Sequence, residues 1–462
     1  MNITDTNALQ SSVLGASPTD WHVDRIRDRL GAIVGGEWGD DLDAHDEGVE
    51  IAVIRVADIR GIDVAIDDLT IRRVKESKLP GRIIGERTVL LEKSGGGEKQ
   101  AVGRAVLGRM IEFDAICSNF MAKTDCSPKD SPLFVAYLLD SAYNCGINTA
   151  HIQQTTGIQN LRVTDYLNTK FAFPSLSEQE RIAAYLESSC VEIDRAIATK
   201  CLQLETLDAL RKEAIQRAVT RGLDEHAELR QTGSIWMEKV PVGWDLICLK
   251  RVAKIQGGLT LGKVYDGPVI ERPYLRVANV QDGYLALEDV TIIEVPLEVA
   301  KRVELRIDDV LMTEGGDLDK LGRGFLWSGE IPDCLHQNHI FAVRCFRHKL
   351  LPKFLTYLTA SRYGRDYFEA TGKKTTNLAS TNSTKVGAFP LPLPSVEEQE
   401  RIVAFLDTEL EGIKSLVANI ENQISTLTFY RKSLIHECVT GQQRVLEADV
   451  KLTHTRRDSI TG

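Results

Sequence analysis

A long internal repeat is the feature that most constrains this 462-residue sequence. Residues 174–220 align without a gap on residues 394–440, at a constant offset of 220, and 19 of the 47 aligned positions are identical. Ordinary composition gives only about one identity in twenty by chance. The chain therefore contains two copies of one structural plan, and its fold is best predicted as two related halves.

Each copy of the repeat has the pattern of one long amphipathic helix. Ser177 and Glu397 open the two helices, and acidic residues fill both first turns, where the helix dipole favours negative charge. Apolar residues then recur at three- and four-residue steps with no interior proline, which is typical of the narrow seam of a coiled coil. A helix of about 44 residues extends about 66 Å at 1.5 Å per residue.

A seam of this length must be buried, and the nearest matching seam belongs to the other copy. We therefore expect the two helices to pack against each other; two separate helices, each lying on its own domain, are the alternative. The predicted seam residues are Ile182, Leu186, Cys190, Ile193, Ile197, Leu204, Leu207, Ala214 and Ala218 in the first copy and Ile402, Leu406, Leu410, Ile413, Val417, Ile424, Leu427, Leu434 and Cys438 in the second.

The segments between the helices repeat more loosely. VIRVADIRG (53–61) matches YLRVANVQDG (274–283), and the alternating apolar pattern predicts strands over Ile51 to Ile59 and Tyr274 to Val280. Segments around Leu133 and Phe354 match as helices. The predicted class is α+β. We expect a first globular domain over 1–173, a long helix over 174–222, a second globular domain over 223–393, a second long helix over 394–441 and a polar tail over 442–462.

Composition and charge limit the functional classes. The apolar fraction of 43% and charged fraction of 26% are typical of a globular protein, and no window has the length and apolarity of a membrane span. The polar N-terminus lacks the regions of a signal peptide, and the nine cysteines include no C-x-x-C pair, so we expect a reducing, cytoplasmic setting. The net charge of −10 weighs against a nucleic-acid binder that acts without a basic partner.

The repeated motifs resemble those of the specificity subunits of type I restriction–modification systems. The resemblance rests on two motifs. The first is P-S-x-x-E-Q-x-R-I at 174–182 and 394–402, and the second is V/Y-x-R-V-A-x-V/I at 53–59 and 274–280. The resemblance extends from about Trp21 to Thr440. Two copies of each motif, in order and at constant spacing, make it specific.

The resemblance implies two pseudo-symmetric target-recognition domains, each reading one half of a bipartite DNA target, and an antiparallel coiled coil that sets the half-site spacing. Because the two domains differ throughout, we expect an asymmetric target. The resemblance also implies that the helices dock two modification (methyltransferase) subunits, which restriction (translocase and nuclease) subunits join. The chain itself would be non-catalytic and hold no cofactor or metal, while partner subunits would bring S-adenosylmethionine, ATP and Mg.

Candidate DNA-contacting residues lie in the loops before each long helix and in two glycine-rich turns. Such a surface needs Arg, Lys, Asn and Gln to reach base edges, with other polar groups on phosphates. For each of them an ordinary solvated loop residue is the alternative. The candidates are Lys99, Arg104, Gln159, Asn160 and Arg162 in the first domain and Lys320, Arg323, Lys373, Lys374, Thr376, Asn377 and Asn382 in the second.

Two other functional classes remain open at the level of sequence. A metal-dependent nuclease could use Asp67, Glu76 and Lys78, although such spacing is common in a chain this rich in charge. A coiled-coil assembly protein without a DNA role is the other alternative. Arg55 and Arg276 occupy matching positions in the two copies and could equally form structural ion pairs.

Overall fold

A computed structural model describes residues 17–451, apart from 43–46, 98–99, 110, 112, 156, 264, 282, 317–320, 323 and 375–378. The chain divides into two compact units. Unit 1 comprises Met1–Lys200 and Asn422–Gly462, and unit 2 comprises Cys201–Glu421. Both boundaries fall inside a long helix, so each unit combines one globular domain with one end of each helix.

The globular part of unit 1 contains short strands and two helices. The strands are β1 (His22–Arg25), β2 (Val34–Gly35), β3 (Val49–Ile54), β4 (Ile59–Arg60), β5 (Asp63–Val64), β6 (Thr70–Val74), β7 (Thr88–Glu92), β8 (Ser94–Gly95), β9 (Ala105–Leu107), β10 (Ala115–Cys117), β11 (Met121–Asp125), β12 (Ile152–Thr155), β13 (Ile158–Leu161) and β14 (Lys170–Phe173). These two helices are α1 (Pro132–Asn144) and α2 (Val163–Leu167). The long helix α3 (Leu176–Arg221) follows them and continues into unit 2.

Unit 2 has a corresponding set of elements. Its strands are β15 (Leu229–Gln231), β16 (Lys239–Pro241), β17 (Asp245–Cys248), β18 (Ala253–Gly257), β19 (Ile270–Leu275), β20 (Thr291–Val295), β21 (Val310–Thr313), β22 (Gly315–Gly316), β23 (Gly324–Leu326), β24 (Leu335–His336), β25 (Ile340–Cys345), β26 (Lys373–Lys374), β27 (Ala379–Ser380) and β28 (Pro390–Leu393). Its helices are α4 (Leu297–Val303), α5 (Pro352–Ala360), α6 (Arg362–Thr371), α7 (Ser383–Ala388) and the long α8 (Val396–Thr440), which continues into unit 1.

The sheets of the two units have the same strand order. The four-stranded sheet β2-β11-β7-β9 of unit 1 corresponds to β18-β25-β21-β23 of unit 2, and β10-β3-β6 corresponds to β24-β19-β20. In both three-stranded sheets the central strand is parallel to one neighbour and antiparallel to the other. The pairs β1-β14 and β17-β28 also match, as do β12-β13-β8 and β26-β27-β22. The loose sequence repeat therefore corresponds to a repeated α+β topology, as the sequence predicted.

The predicted strands over 51–59 and 274–280 are wrong at their carboxyl ends. β3 ends at Ile54 and β19 at Leu275, and each is followed by a short 3-10 turn. The Asp58 carboxylate accepts a hydrogen bond from the Arg55 backbone N–H at 2.7 Å, and the Asn279 side-chain oxygen accepts one from Arg276 at 2.8 Å. This side-chain cap satisfies a backbone donor outside the sheet, which favours a turn over a continued strand.

The ends of the long helices pack against each other within each unit. In unit 1, Ile182 and Leu186 near the start of α3 share a buried core with Leu434 and Cys438 near the end of α8. In unit 2, Ile215 near the end of α3 is buried together with the start of α8. The helices therefore run antiparallel in both units, and the predicted coiled coil is confirmed.

The predicted seam is the inward side of both helices. Every seam residue named from the sequence is buried or half-buried, with the fully buried ones toward the helix ends and half-buried ones such as Leu204 and Val417 toward the middle. Flanking apolar residues outside the seam remain exposed, among them Leu210 at 54% and Tyr430 at 52%. In a two-helix coiled coil each helix buries only its seam, so residues beside the seam stay at the surface.

A buried glutamine at the start of each long helix joins that helix to its globular domain. The Gln179 side chain accepts a hydrogen bond from the Ser131 N–H at 3.0 Å and donates to the Asp130 carboxylate at 2.9 Å and the Pro174 carbonyl at 3.0 Å. Ser131 caps α1, so this glutamine connects the amino-terminal ends of two helices. These bonds give a structural reason for the glutamine of the repeated P-S-x-x-E-Q motif.

Both long helices stop at a glycine with positive φ. Gly222 follows α3 and Gly441 follows α8, and each has φ of +77°. The left-handed conformation costs glycine little, which is why it commonly ends helices. A side chain built on Gly222 would meet the ring of Trp244 at 3.2 Å, and one built on Gly441 would meet the ring of Trp21 at 3.2 Å. The close approach of an indole ring is therefore a second reason for glycine at each position.

Candidate nucleic-acid interface

A small three-stranded sheet in unit 1 presents the predicted polar loop. β12 and β13 form a hairpin closed at Gly157, which has φ of +86°, and β13 also pairs with the short strand β8. The register places Gln153 opposite Asn160 and Gln154 opposite Gln159. The sequence predicted a loop over this segment, whereas the structure shows strands, because the glycine turn lets the two polar runs pair.

The candidates on β13 bond to neighbouring parts of unit 1. The Gln159 side chain accepts a hydrogen bond from the Val102 N–H at 3.2 Å and donates to the Gly97 carbonyl at 3.4 Å. The Asn160 side-chain oxygen accepts from the Ser94 hydroxyl at 2.7 Å. Both side chains are half-buried, so part of their hydrogen-bonding capacity is used within unit 1.

Sequence reasoning missed the glutamines on the other strand of this hairpin. Gln153 and Gln154 on β12 are exposed. Neither side chain makes a hydrogen bond to another described residue of the chain, so both amides are available to an outside partner. The signal that could have found them is the glycine at 157 with polar residues on either side, which is typical of a hairpin.

Two predicted arginines of unit 1 form ion pairs. Arg104 is 20% exposed; its guanidinium pairs with the buried Glu92 at 3.0 Å and donates to the Val56 carbonyl at 3.3 Å. Arg162 lies before α2, pairs with Asp165 at 3.1 Å and remains 43% exposed. The charge of Arg104 is thus held inside the domain, while Arg162 remains accessible at its surface.

The corresponding sheet of unit 2 presents different chemistry. β26 and β27 pair antiparallel, with Lys373 opposite Ser380, and β27 pairs with the glycine strand β22. Lys373 and Ser380 are exposed, and the backbone of Lys374 lies in β26. The two units therefore place different polar side chains on the same framework: amides in unit 1, and a lysine and a hydroxyl in unit 2.

Asn382 has a local structural role. Its side-chain oxygen accepts a hydrogen bond from the Lys385 N–H at 2.9 Å and so caps α7. The Lys385 ammonium donates to the Thr371 carbonyl, which ties α7 to the end of α6. The remaining candidates, Lys99, Lys320, Arg323, Thr376 and Asn377, lie outside the described residues.

An exposed ring occupies the same position beside both small sheets. Phe120 precedes β11 and is 43% exposed, and His339 precedes β25 with its side chain 52% exposed. Each follows an asparagine, Asn119 or Asn338, that matches in the sequence repeat. The His339 ring lies 2.5 Å from the Glu314 carboxylate. This position is therefore common to both units in backbone but different in chemistry.

The paired arginines before the 3-10 turns are ion-paired. The Arg55 guanidinium contacts the Asp58 carboxylate at 2.8 Å, and Arg276 contacts Asp289 at 2.8 Å. Their side chains are 38% and 39% exposed, so each still reaches the surface.

The described residues show no arrangement suited to metal chemistry. No group of three or more His, Cys, Asp or Glu side chains in that part of the chain could hold a metal ion. Lys78 of the proposed nuclease set pairs with Glu37 at 3.1 Å. His336 is fully buried, and burial lowers the pKa of its imidazole to about 4, while its Nδ1 lies 2.8 Å from the Ile340 carbonyl.

Two buried thiols are also unsuited to act as nucleophiles. Burial raises the pKa of the Cys117 and Cys190 thiols to about 11. Both groups therefore stay protonated near neutral pH, and a protonated thiol is a weak nucleophile. Among the described helices, none combines the length and apolarity needed to cross a membrane.

Comparison with known proteins agrees with the repeated topology. Residues 241–426 match the model of a family described as "Type I restriction modification DNA specificity domain". The chain is 24% identical over 444 residues to the MjaVIII specificity subunit of a type I restriction enzyme of Methanocaldococcus jannaschii, covering 93% of this chain and 94% of that one. Along nearly its whole length the chain is therefore similar to the specificity subunits of type I restriction–modification systems.

Two further comparisons define how far the similarity extends. The putative MjaX specificity subunit of M. jannaschii is 24% identical over 204 residues, which cover 44% of this chain and only 47% of that protein. A solved structure titled as the basis of assembly and conformational transition of the type I R-M system superposes with a TM-score of 0.68 at 17% identity. It covers 92% of this chain and 99% of that one, so the shared fold extends over both units.

Proposed function

We propose that this chain is the sequence-recognition subunit of a type I restriction–modification complex. Each unit reads one half of a bipartite DNA target, and the two small sheets, β12-β13-β8 and β26-β27-β22, carry the base-contacting side chains. The chain has no catalytic site of its own. The proposal rests on the similarity to type I specificity subunits together with the geometry of these two sheets.

The observation that carries the proposal is the contrast between a shared framework and different exposed side chains. Strand order and register repeat from unit 1 to unit 2, yet Gln153 and Gln154 are exposed on one sheet and Lys373 and Ser380 on the other. Glutamine pairs with the N6 and N7 edge of adenine, and lysine with the O6 and N7 edge of guanine. The two half-sites should therefore differ in sequence, which makes the target asymmetric.

The long helices have two roles in this proposal. They set the spacing between the half-sites, and their exposed apolar positions bind two modification subunits, which restriction subunits then join. The net charge of −10 is consistent with a reader that depends on basic partner subunits for much of its phosphate contact. S-adenosylmethionine, ATP and Mg belong to those partners, and the complex acts in the cytoplasm.

The test is methylation of DNA by the assembled complex. The chain is co-expressed with the type I modification subunit of its own organism, and methylated adenines are mapped in a plasmid library. Wild type should copurify with the modification subunit and methylate one bipartite sequence. Absence of copurification, or methylation that ignores sequence, contradicts the proposal.

The role of the small sheet is tested in the same assay. Replacing both Gln153 and Gln154 by Ala should relax or abolish recognition of one half-site and leave the sequence of the other unchanged. Gln203, which is exposed on α3, supplies the control: Gln203→Ala should leave the whole target unchanged. Loss of both half-sites together in the double variant would point to misfolding rather than readout.

The spacing role of the helices has its own experiment. Deleting one matched pair of seven-residue segments, one from the middle of α3 and one from the middle of α8, preserves the heptad register of the seam. The mapped methylation sites should then keep both half-site sequences but differ in the number of base pairs between them. An unchanged spacing would contradict a spacing role for the helices.

A further inference from the structure

Unit 1 contains an open cavity beside its small sheet. The cavity has a volume of about 370 Å³ and is bounded by Trp38 and Phe120, with Val56 and Ala57 also in contact with it. Ser94 of β8 lines the same cavity, and β8 pairs with β13. The cavity is therefore continuous with the sheet proposed to read DNA, and its volume lies within the roughly 300–1,000 Å³ of small-ligand sites.

The aromatic walls of the cavity are held in place. The Arg72 guanidinium lies 4.8 Å from the centre of the Trp38 ring, and Trp38 also packs on a buried cluster formed by β3, β6 and β10. The Phe120 carbonyl accepts hydrogen bonds from the N–H groups of Lys93 and Ser94, at 2.9 and 3.1 Å. The Trp38 ring and the backbone at Phe120 are thus fixed before an occupant binds, which lowers the ordering cost of binding.

The alignment of the two units at this cavity is fixed by matching backbone hydrogen bonds. The Glu37 N–H donates to the Cys117 carbonyl at 2.9 Å, and the Leu259 N–H donates to the His336 carbonyl at 2.8 Å. The next residue in each unit, Trp38 or Thr260, therefore occupies the same place.

The aromatic walls of the cavity differ between the units, as do two polar lining positions, where unit 1 has Ser94 and Ser118 and unit 2 has Gly315 and Gln337. The Arg-Val-Ala sequence at 55–57 recurs at 276–278, and an asparagine recurs at 119 and 338. At the two wall positions, by contrast, unit 1 has Trp38 and Phe120 where unit 2 has Thr260 and His339. A constant base with variable walls is the pattern of a pocket that determines specificity, because backbone geometry is kept while the contact surface changes.

We propose that this cavity, which we call the Trp38–Phe120 pocket, receives the methyl-bearing edge of one thymine in the half-site read by unit 1. The inference rests on the proposed function. Among the bases, thymine alone presents a 5-methyl group in the major groove, and apolar side chains are the usual contacts for that group. The aromatic and small apolar lining suits this methyl group, which cytosine and guanine lack.

Polar groups at the pocket suit the rest of the thymine edge. The Asn119 side chain is exposed and makes no hydrogen bond to the described residues, so its amide N–H is available to the thymine O4 acceptor beside the methyl group. Arg55 also lines the pocket, and its guanidinium, held by Asp58, supplies a positioned cation for a neighbouring phosphate.

The experiment removes the methyl group without changing the hydrogen-bonding edge. The assembled complex is titrated with its mapped target, in which each thymine of both strands is replaced in turn by deoxyuridine. At one thymine of one half-site, wild type should bind the deoxyuridine duplex about fourfold more weakly, the effect of one buried methyl group. Phe120→Ala should reduce that preference to about one, because the wall that contacts the methyl group is gone.

Two further variants separate contact from folding. Phe120→His introduces the residue that unit 2 carries at this position, so the framework accommodates it; it should also lower the thymine preference. His339→Phe in unit 2 is the matched control and should leave the preference at that thymine unchanged.

Several outcomes overturn the pocket assignment. They are a target in which no deoxyuridine replacement weakens binding by more than twofold, a target without thymine in the relevant half-site, and a Phe120→Ala complex that keeps the full preference. In each case the complex still binds its target, so the proposed function survives. If the wild-type complex shows no sequence-selective binding, the proposed function fails and the pocket assignment fails with it.

Discussion

Replacing Gln399 by Met tests whether the buried glutamine attaches the long helix to unit 2. Gln399 is fully buried, and its side chain accepts a hydrogen bond from the Leu351 N–H at 2.8 Å. It donates to the Lys349 carbonyl at 2.8 Å and to the Pro394 carbonyl at 3.0 Å. Methionine has a similar length and shape but no hydrogen-bonding group, so the change removes three bonds and leaves three backbone groups without that partner.

The expected magnitude follows from those three bonds. At about 1 kcal/mol for each hydrogen bond, the free energy of unfolding falls by about 3 kcal/mol, and more if the Leu351 N–H finds no other acceptor. With a urea dependence of roughly 2 kcal/mol per molar, the unfolding midpoint of unit 2 moves down by about 1.5 M.

The assay is unfolding in urea, monitored by hydrogen exchange of peptides from each unit. The two units are measured separately because a chain with two units need not unfold in one step. Gln203→Met, on the exposed surface of α3, is the matched control and should shift the midpoint by no more than about 0.25 M, the effect of a typical surface substitution. Gln179→Met should produce the same kind of loss in unit 1. A Gln399→Met midpoint equal to that of the control would refute the reasoning.

Three further predictions concern buried groups and backbone conformation. Burial lowers the pKa of His336 from 6.5 to about 4, so its contribution to stability is complete above pH 6.5 and is lost as the pH falls toward 4. Between those pH values the free energy of unfolding of His336→Asn should fall by about 3 kcal/mol less than that of wild type. Equal curves of unfolding free energy against pH would contradict this. In the wild type the Arg344 guanidinium lies 2.8 Å from the buried Asp309 carboxylate. Arg344→Met leaves that carboxylate without its cation and should lower the free energy of unfolding by about 3–5 kcal/mol. Adding Asp309→Asn should restore part of this loss, and no recovery would assign the loss to other contacts. Gly441→Ala should lower the melting temperature more than Gly222→Ala. Both glycines have φ of +77°, but a methyl group added at 441 meets a proline ring at 2.3 Å, whereas one added at 222 meets nothing closer than 3.2 Å. The reverse order of melting temperatures would count against the proposed clash.

The elements that sequence predicted best are the ones governed by periodicity. The helices at 176–221 and 396–440 begin and end within a few residues of the predicted bounds, because a three- and four-residue apolar pattern without proline specifies a helix locally. The strand predictions failed at their ends for the opposite reason. Asp58 and Asn279 stop the strands by accepting a backbone hydrogen bond, an interaction that apolar alternation does not reveal.

The candidate interface was only partly predictable. Among the described candidates, Lys373 and Arg162 are exposed, as expected of residues at an interface. Arg104, by contrast, pairs with a buried carboxylate, and Asn382 caps a helix. Residue type predicts what a side chain is able to contact, but its actual partner depends on which strands and turns lie beside it.

The internal repeat by itself determined that this chain has two related halves and two long helices that must bury matching seams. Periodicity carries that information because a helix is specified by residues a few positions apart. Tertiary structure alone decided that Trp38 and Phe120, more than 80 residues apart, line one pocket with Ser94, and that Gln153 and Gln154 are exposed on β12. Contacts between distant segments depend on strand pairing and register, which no local pattern in the sequence specifies.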